Sequence, residues 1–212
     1  MDSKKLIKNN TIVYNVFSSE EIKLIYHDIN LLLKHNQFIF LQNFYGRLYI
    51  PLYWRQKTEL SDPIDLRISK TIFDCIFNHC ASLSDLPLQI ESISFARYSL
   101  KYGTPNLPPH TDFNFKEPRL TFDVQLDANV KWPILTENKT FLLENNSASV
   151  FSGTNEIHWR AKQQFNENEY LDILLCQLSE KSDIDNTIDK NFIEEIKNRQ
   201  KLLNVKYERG LI

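Results

Sequence analysis

Two short stretches, PPHTD at 108–112 and EIHWR at 156–160, hold two of the chain's five histidines. In an extended segment residues i and i+2 point to the same side, so His110 and Asp112 can present an imidazole and a carboxylate to one ion. His158 would close the triangle from another strand. Two neutral imidazoles and one carboxylate on one face leave three octahedral positions open, which suits iron(II) binding a bidentate cosubstrate and dioxygen. Zinc would prefer a closed tetrahedral site. Read alone, His-x-Asp is a common pairing and equally describes a turn histidine beside a capping aspartate. His27, His35 and His79 fall in helical sequence, where an exposed or satisfied imidazole is the default, and they are given no role.

The elements that must position these residues follow from periodicity. Ser18 and Glu21 form a capping box, after which Ile22, Ile25, Ile29, Leu32 and Leu33 recur at helical spacing. A second helix is expected to start near Asp62, with Pro63 at its first position, and to carry Ile64, Ile68, Ile72, Phe73, Ile76 and Phe77 inward before ending near Ser82 to Leu86. Residues 37–55, rich in Phe, Tyr, Leu and Ile, suit strand-like or irregular packing.

From residue 88 the period changes to short β-prone runs at about 89–100, 119–126, 139–143, 147–152, 157–161 and 170–178, a barrel or sandwich pattern. In 119–126, Leu120, Phe122, Val124 and Leu126 share one face, and the polar face of Thr121, Asp123 and Gln125 is free to line a pocket. Residues 186–203 read as a closing amphipathic helix through Ile188, Phe192, Ile196 and Leu203.

The order of these motifs resembles the iron(II)- and 2-oxoglutarate-dependent oxygenases, in particular their prolyl-4-hydroxylase-like branch. Arg97, Tyr98, Gly103, His110, Asp112, Arg119 and Thr121, within ARYSLKYGTPNLPPHTD and PRLTFDVQL, match a strand ending in Arg-Tyr, a Gly-containing loop, His-x-Asp and a following strand with Arg and Thr. NNSASVFSGTNEIHWR supplies Phe151, Gly153 and His158 in the order of the family's distal histidine segment, and VFSSEEI resembles the start of its leading helix.

The resemblance implies an α+β chain with a mainly β core, a double-stranded β-helix of the jelly-roll, cupin-like type, with amino-terminal helices packed on it and a carboxy-terminal helix. It divides the chain into a mainly helical part at 1–87, the core at 88–180 and a helical extension at 181–212, all in one oxygenase domain. It further implies that His110, Asp112 and His158 bind Fe(II), and that 2-oxoglutarate and dioxygen are consumed with release of succinate and CO2 as an amino-acid, peptidyl or small-metabolite substrate is hydroxylated. Asp112 argues for oxygen rather than halide transfer, because halogenases of this fold lack the metal carboxylate.

One departure stands out. The family usually anchors the distal carboxylate of 2-oxoglutarate with a basic residue on the strand after the distal histidine, and here that strand, EYLDILLCQL, has none. Arg160 shares strand parity with His158 and is the expected anchor, with Arg119 the next candidate and Lys162 also nearby. A phenol of Tyr98 or Tyr102 could hydrogen-bond the cosubstrate or simply pack, and Trp159 alternates away from His158 as a packing residue.

Composition narrows the alternatives. Lys and Arg total 25 against 27 for Asp and Glu, a net charge of -2, which disfavours nucleic acid and with it a nucleobase demethylase of the same fold. A non-catalytic cupin-like metal protein is the other alternative. Cys75, Cys80 and Cys176 show no CxxC pairing, which fits a reducing compartment. No apolar run approaches the ~18 residues of a membrane span and no signal-peptide pattern opens the sequence, so a soluble, cytoplasmic protein is expected. Substrate choice is expected to reside in 37–55 and in the loops 101–109 and 113–118.

Overall fold

The capping box at Ser18 forms as its spacing dictates: the Ser18 hydroxyl accepts from the Glu21 amide at 3.2 Å, and the Glu21 carboxylate accepts from the Ser18 amide at 2.7 Å. It starts α1 (Ser19–Lys34), which buries Ile25, Ile29 and Leu32. The computed structural model describes residues 10–35, 45–55, 67–82, 88–112, 119–180 and 190–212.

The second helix, α2 (Lys70–Ala81), begins later than its periodicity suggests. Residues 62–64 lie outside the described residues, but 67–69 are not helical. The Asp28 carboxylate takes the Ser69 amide at 2.7 Å, and Ile68 enters the core from irregular backbone, so burial that looked helical is supplied by the segment before the helix.

The β region forms two antiparallel sheets. The larger contains β1 (Thr11–Tyr14), β2 (Arg47–Trp54), β3 (Leu88–Tyr98), β5 (Arg119–Ala128), β8 (Ser147–Ser152) and β10 (Leu171–Glu180), in the order β1-β8-β5-β10-β3-β2. The smaller contains β4 (Leu107–His110), β6 (Ile134–Thr136), β7 (Thr140–Phe141) and β9 (His158–Arg160), in the order β4-β9-β6-β7. Together they make the double-stranded β-helix that the sequence implies. The amino-terminal part adds two strands to it, β1 and β2, on the two edges of the larger sheet. The closing helix α3 (Lys190–Glu208) packs against β4, burying Ile196 and Tyr207; its expected start at 186–189 lies outside the described residues.

The large sheet has two different faces, and the alternation in β5 shows why. Leu120, Phe122, Val124 and Leu126 join Leu174, Cys176 and Leu178 in the main core under α1 and α2. Thr121 and Asp123 turn the other way, into a cavity. A bulge preserves this division in β3. Gln177 pairs with Ser92 while Leu178 pairs with Ile90, leaving Glu91 as the extra residue. Without it, Ile90 and Ser92 would share a face; with it, Ile90 enters the core and Ser92 the cavity. Buried Glu91 is neutralised by Arg55 at 2.9 Å.

Candidate active site

Antiparallel pairing of β4 with β9 places His110 directly opposite His158, with ring centroids 4.2 Å apart. Asp112, two residues on, is tied down by its own amide, which donates to the Gly153 carbonyl at 2.8 Å. One donor atom from each of His110, Asp112 and His158 lies within 4.8 Å of the others, and His158 Nε2 is 3.6 Å from Asp112 Oδ1. The three residues therefore converge as their spacing predicts.

Neighbouring groups orient each donor. His110 Nδ1 donates to the Pro108 carbonyl at 2.8 Å and His158 Nδ1 to the Glu156 carbonyl at 3.3 Å, so each ring turns its Nε2 lone pair toward the shared point. The Thr121 hydroxyl donates to Asp112 Oδ2, leaving Oδ1 on the histidine side. Gly153 is required here for space: a Cβ at this position would run into both Thr121 Oγ1 and the Asp112 carboxylate.

Electrostatics ready His110 and Asp112 for a cation, whereas His158 holds a proton more tightly against Asp112. Burial, helped by His158, pushes the His110 imidazole down to about 3, so it is neutral and its lone pair is free. Burial alone would raise the Asp112 carboxyl, but His158, His110 and Thr121 outweigh it and hold the group well below the usual carboxylate range. Burial would likewise lower His158, and Asp112 outweighs it, raising the imidazole.

The triad lies in the wall of a cavity of about 260 Å³ between the sheets. Arg160 lines the same cavity and is 1 % exposed. Its Nη1 donates to the Trp132 carbonyl and its guanidinium lies 5.1 Å over the Trp132 ring, while Nε and Nη2 are buried without partners among the described residues. Burial pulls this guanidinium down to about 10. Tyr98 is buried in the cavity wall, and its hydroxyl accepts from Arg47 Nη1 at 2.8 Å. The strand after the distal histidine contributes Ile173, Leu175 and Gln177 to the cavity, none of them basic.

Other expected residues separate from the site. Lys162 is an exposed partner of Glu208 at 3.2 Å. Tyr102 packs against the helix-side core, and Trp159 is buried. The Arg119 side chain and the loop 113–118 lie outside the described residues. His27 and His35 are exposed on α1, and His79 on α2 meets the edge of Phe17.

Sequence reasoning missed Arg47 and Tyr49, which line the cavity from β2. The available signal was the alternation in RLYIPLYW, where Arg47 and Tyr49 share a parity opposite to Leu48 and Ile50. Gly46, at φ +58°, lets the chain enter β2 with no room to spare, because a Cβ there would strike the Thr104 carbonyl.

No protein-family model matches this sequence, and no curated protein matches it either. Solved structures do match. A prolyl hydroxylase from Trichoplax adhaerens, in complex with a hypoxia inducible factor oxygen degradation domain peptide fragment, superimposes with a TM-score of 0.56 at 14% identity, covering 81% of this chain and 84% of its own. An oxidoreductase of the 2OG-Fe(II) oxygenase family from Burkholderia pseudomallei gives 0.58 at 12% identity, covering 85% and 89% respectively.

The fold is that of the iron(II)/2-oxoglutarate oxygenases. HygX from Streptomyces hygroscopicus, solved with nickel, 2-oxoglutarate and hygromycin B bound, shares it with a TM-score of 0.52 at 10% identity over 84% of this chain and 85% of its own. At these identities the likeness speaks for the fold, and the chemistry rests on the residues described above.

Proposed function

We propose that the chain is an Fe(II)- and 2-oxoglutarate-dependent dioxygenase that hydroxylates an amino-acid, peptidyl or small-metabolite substrate. One observation carries the reading: the cavity that presents two histidine Nε2 atoms and one carboxylate oxygen also contains a buried arginine with unused donors. Leaving buried donors unpaired costs about 1–3 kcal/mol each, and a carboxylate accepting from both would remove that cost.

His110, Asp112 and His158 would hold the metal, and the donor set fits iron(II) because it is hard, mixed nitrogen and oxygen, and open on one side. Bound there, iron(II) would supply dioxygen activation coupled to decarboxylation of 2-oxoglutarate. The balance is R–H plus O2 plus 2-oxoglutarate giving R–OH, succinate and CO2. Arg160 would grip the distal carboxylate. The Tyr98 hydroxyl, accepting from Arg47, keeps its own proton to donate into the cavity. Arg119 is the second candidate for a cosubstrate contact.

Nothing in the cavity favours a nucleobase demethylase over this reading, and the net charge of -2 counts against nucleic acid. Among the described residues no helix is long and apolar enough to cross a membrane. A cytoplasmic location is supported by three free cysteines, two of them buried. Metal-dependent formation of succinate from 2-oxoglutarate tests the function directly. A non-catalytic metal protein would give none, with or without added iron.

A further inference from the structure

With the cosubstrate's two carboxylates assigned to the metal and to Arg160, the cavity still holds one cation and one anion with unused capacity. The cation is Arg47. Among the described residues it makes a single hydrogen bond, from Nη1 to the Tyr98 hydroxyl, and it has no ion pair. Its guanidinium lies over the rings of Tyr45, Tyr49 and Tyr98 at 4.9, 5.0 and 5.6 Å, which fixes its plane and leaves its other edge for a ligand. Tyr45 also stacks on His110 at 6.5 Å, so Arg47 is one ring away from the metal ligands.

The anion is Asp123. It is 5 % exposed, lines the cavity, and has an Oδ1 that is buried without a hydrogen-bond partner among the described residues. Its cross-strand neighbour Ser149, fully buried, has an unpartnered hydroxyl as well. Arg47 on β2 and Asp123 on β5 stand on the same inner face with β10 and β3 between them. The Tyr49 and Ser94 hydroxyls, 2.6 Å apart, and the pair of Ser92 with Gln177 form polar rungs along that face. Burial and Asp112 raise the Asp123 carboxyl, and His158, Arg160 and Arg47 work against that rise. A cavity of about 260 Å³ sits below the ~300–1,000 Å³ common for ligand sites, so its enclosed part suits small ligands.

We propose that the substrate is a free α-amino acid whose carboxylate pairs with Arg47 and whose ammonium group pairs with Asp123. The assignment rests on the oxygenase reading above, and narrows it: a planar guanidinium edge suits a carboxylate, and a lone buried carboxylate oxygen suits an N–H donor. A peptide linkage would cancel one charge and leave its partner unpaired in the cavity, which is how such a site rejects it.

The test uses the Ni(II)-loaded full chain saturated with 2-oxoglutarate. It is titrated by calorimetry with the proteinogenic amino acids, their primary amides and their N-acetyl derivatives. At least one free amino acid should bind, with both of its derivatives weaker by about tenfold or more, one lost charge-assisted contact each. Arg47→Gln should erase the preference for acid over amide, and Asp123→Asn the preference for free amine over N-acetyl. Arg47→Lys, which keeps the charge without the fork, should retain part of the acid preference and guards against misreading a misfolded Gln variant. The proposal is overturned if no amino acid binds, if the derivatives bind as well as the parents, or if Arg47→Gln weakens 2-oxoglutarate as much as Arg160→Ala does. Failure of the wild-type protein to bind 2-oxoglutarate with metal is seen before any amino acid is added, and it overturns the oxygenase reading together with this one.

Discussion

The buried guanidinium of Arg160 is the group on which the proposed cosubstrate site turns. Arg160 sits two positions from His158 on β9, and its Nε and Nη2 have no partner among the described residues. On the proposed reading, replacing it by Ala would remove a bidentate, charge-assisted grip on a carboxylate, so the 2-oxoglutarate Michaelis constant should rise by at least about tenfold, with iron binding retained. Arg160→Lys should recover only part of the loss, because a point charge cannot reproduce the planar fork. Lys162→Ala is the control, since its ammonium is turned outward to Glu208. Equal effects from the two Ala variants, measured by cosubstrate saturation, would move the anchor away from Arg160. Asp112→Ala should abolish succinate formation while leaving far-ultraviolet circular dichroism unchanged, because the carboxylate belongs to the cavity wall rather than to the apolar core. Retention of wild-type iron affinity in that variant would break the triad assignment.

The strands act as a ruler for these side chains, and their irregularities matter as much as their regular parts. The Glu91 bulge lets β3 place Ile90 in the core and Ser92 in the cavity. At the end of β8, Gly153 gives Asp112 its backbone acceptor and leaves room for Thr121 to reach the carboxylate. Gly153→Ala should therefore push Asp112 and Thr121 apart, and loss of an orienting contact of this kind typically weakens metal affinity about 10- to 100-fold. Calorimetric titration with Ni(II) checks it. Unchanged affinity would mean that the loop yields without moving Asp112. The expected runs at 119–126, 147–152 and 170–178 all became strands, because a half-buried strand shows its two faces as alternation. Strands β1, β4 and β6 did not show themselves: each has three or four residues, too few for a period, and each pairs with a strand distant in sequence, β6 also with the adjacent β7.

At the scale of the whole molecule, the inner face concentrates charge that folding must dehydrate. Burial, reinforced by Asp112, raises the Asp123 carboxyl from 3.8 to about 7. Between those values the folded protein keeps a proton that the unfolded chain has released, so this group's contribution to stability is present below about pH 4 and is lost as pH rises to about 7. His110 works in the opposite sense, since its folded value of about 3 lies below the ordinary 6.5 and protonation of the unfolded chain costs stability as pH falls. The comparison that isolates Asp123 is therefore with Asp123→Asn. In metal-free protein, the variant should gain stability relative to wild type as pH is raised from about 5 to about 8, by on the order of a few kcal/mol, read from urea unfolding. A constant difference between the two proteins across that range would show that the Asp123 carboxyl is not raised in the fold.

What the sequence determined by itself was the set of three candidate ligands. His110, Asp112 and His158 were legible because parity within an extended segment is local, and because a rare residue type fell at two strand positions. Arg160 was legible for the same reason, two positions from a histidine already placed. The α1 cap and the polar face of β5 were also local patterns, readable without a partner. Only the tertiary structure decided what stands opposite this triad. Arg47 is 63 positions from His110 in the chain, and what brings it there is the pairing of β2 with β3, where Arg47 faces Tyr98. No local signal records which strand will be a neighbour, because that choice is made by the burial of whole faces. For the same reason the sequence could mark Asp123 as polar and inward, but only packing of the two sheets shows its oxygen buried, unpaired and on the same cavity wall system as Arg47.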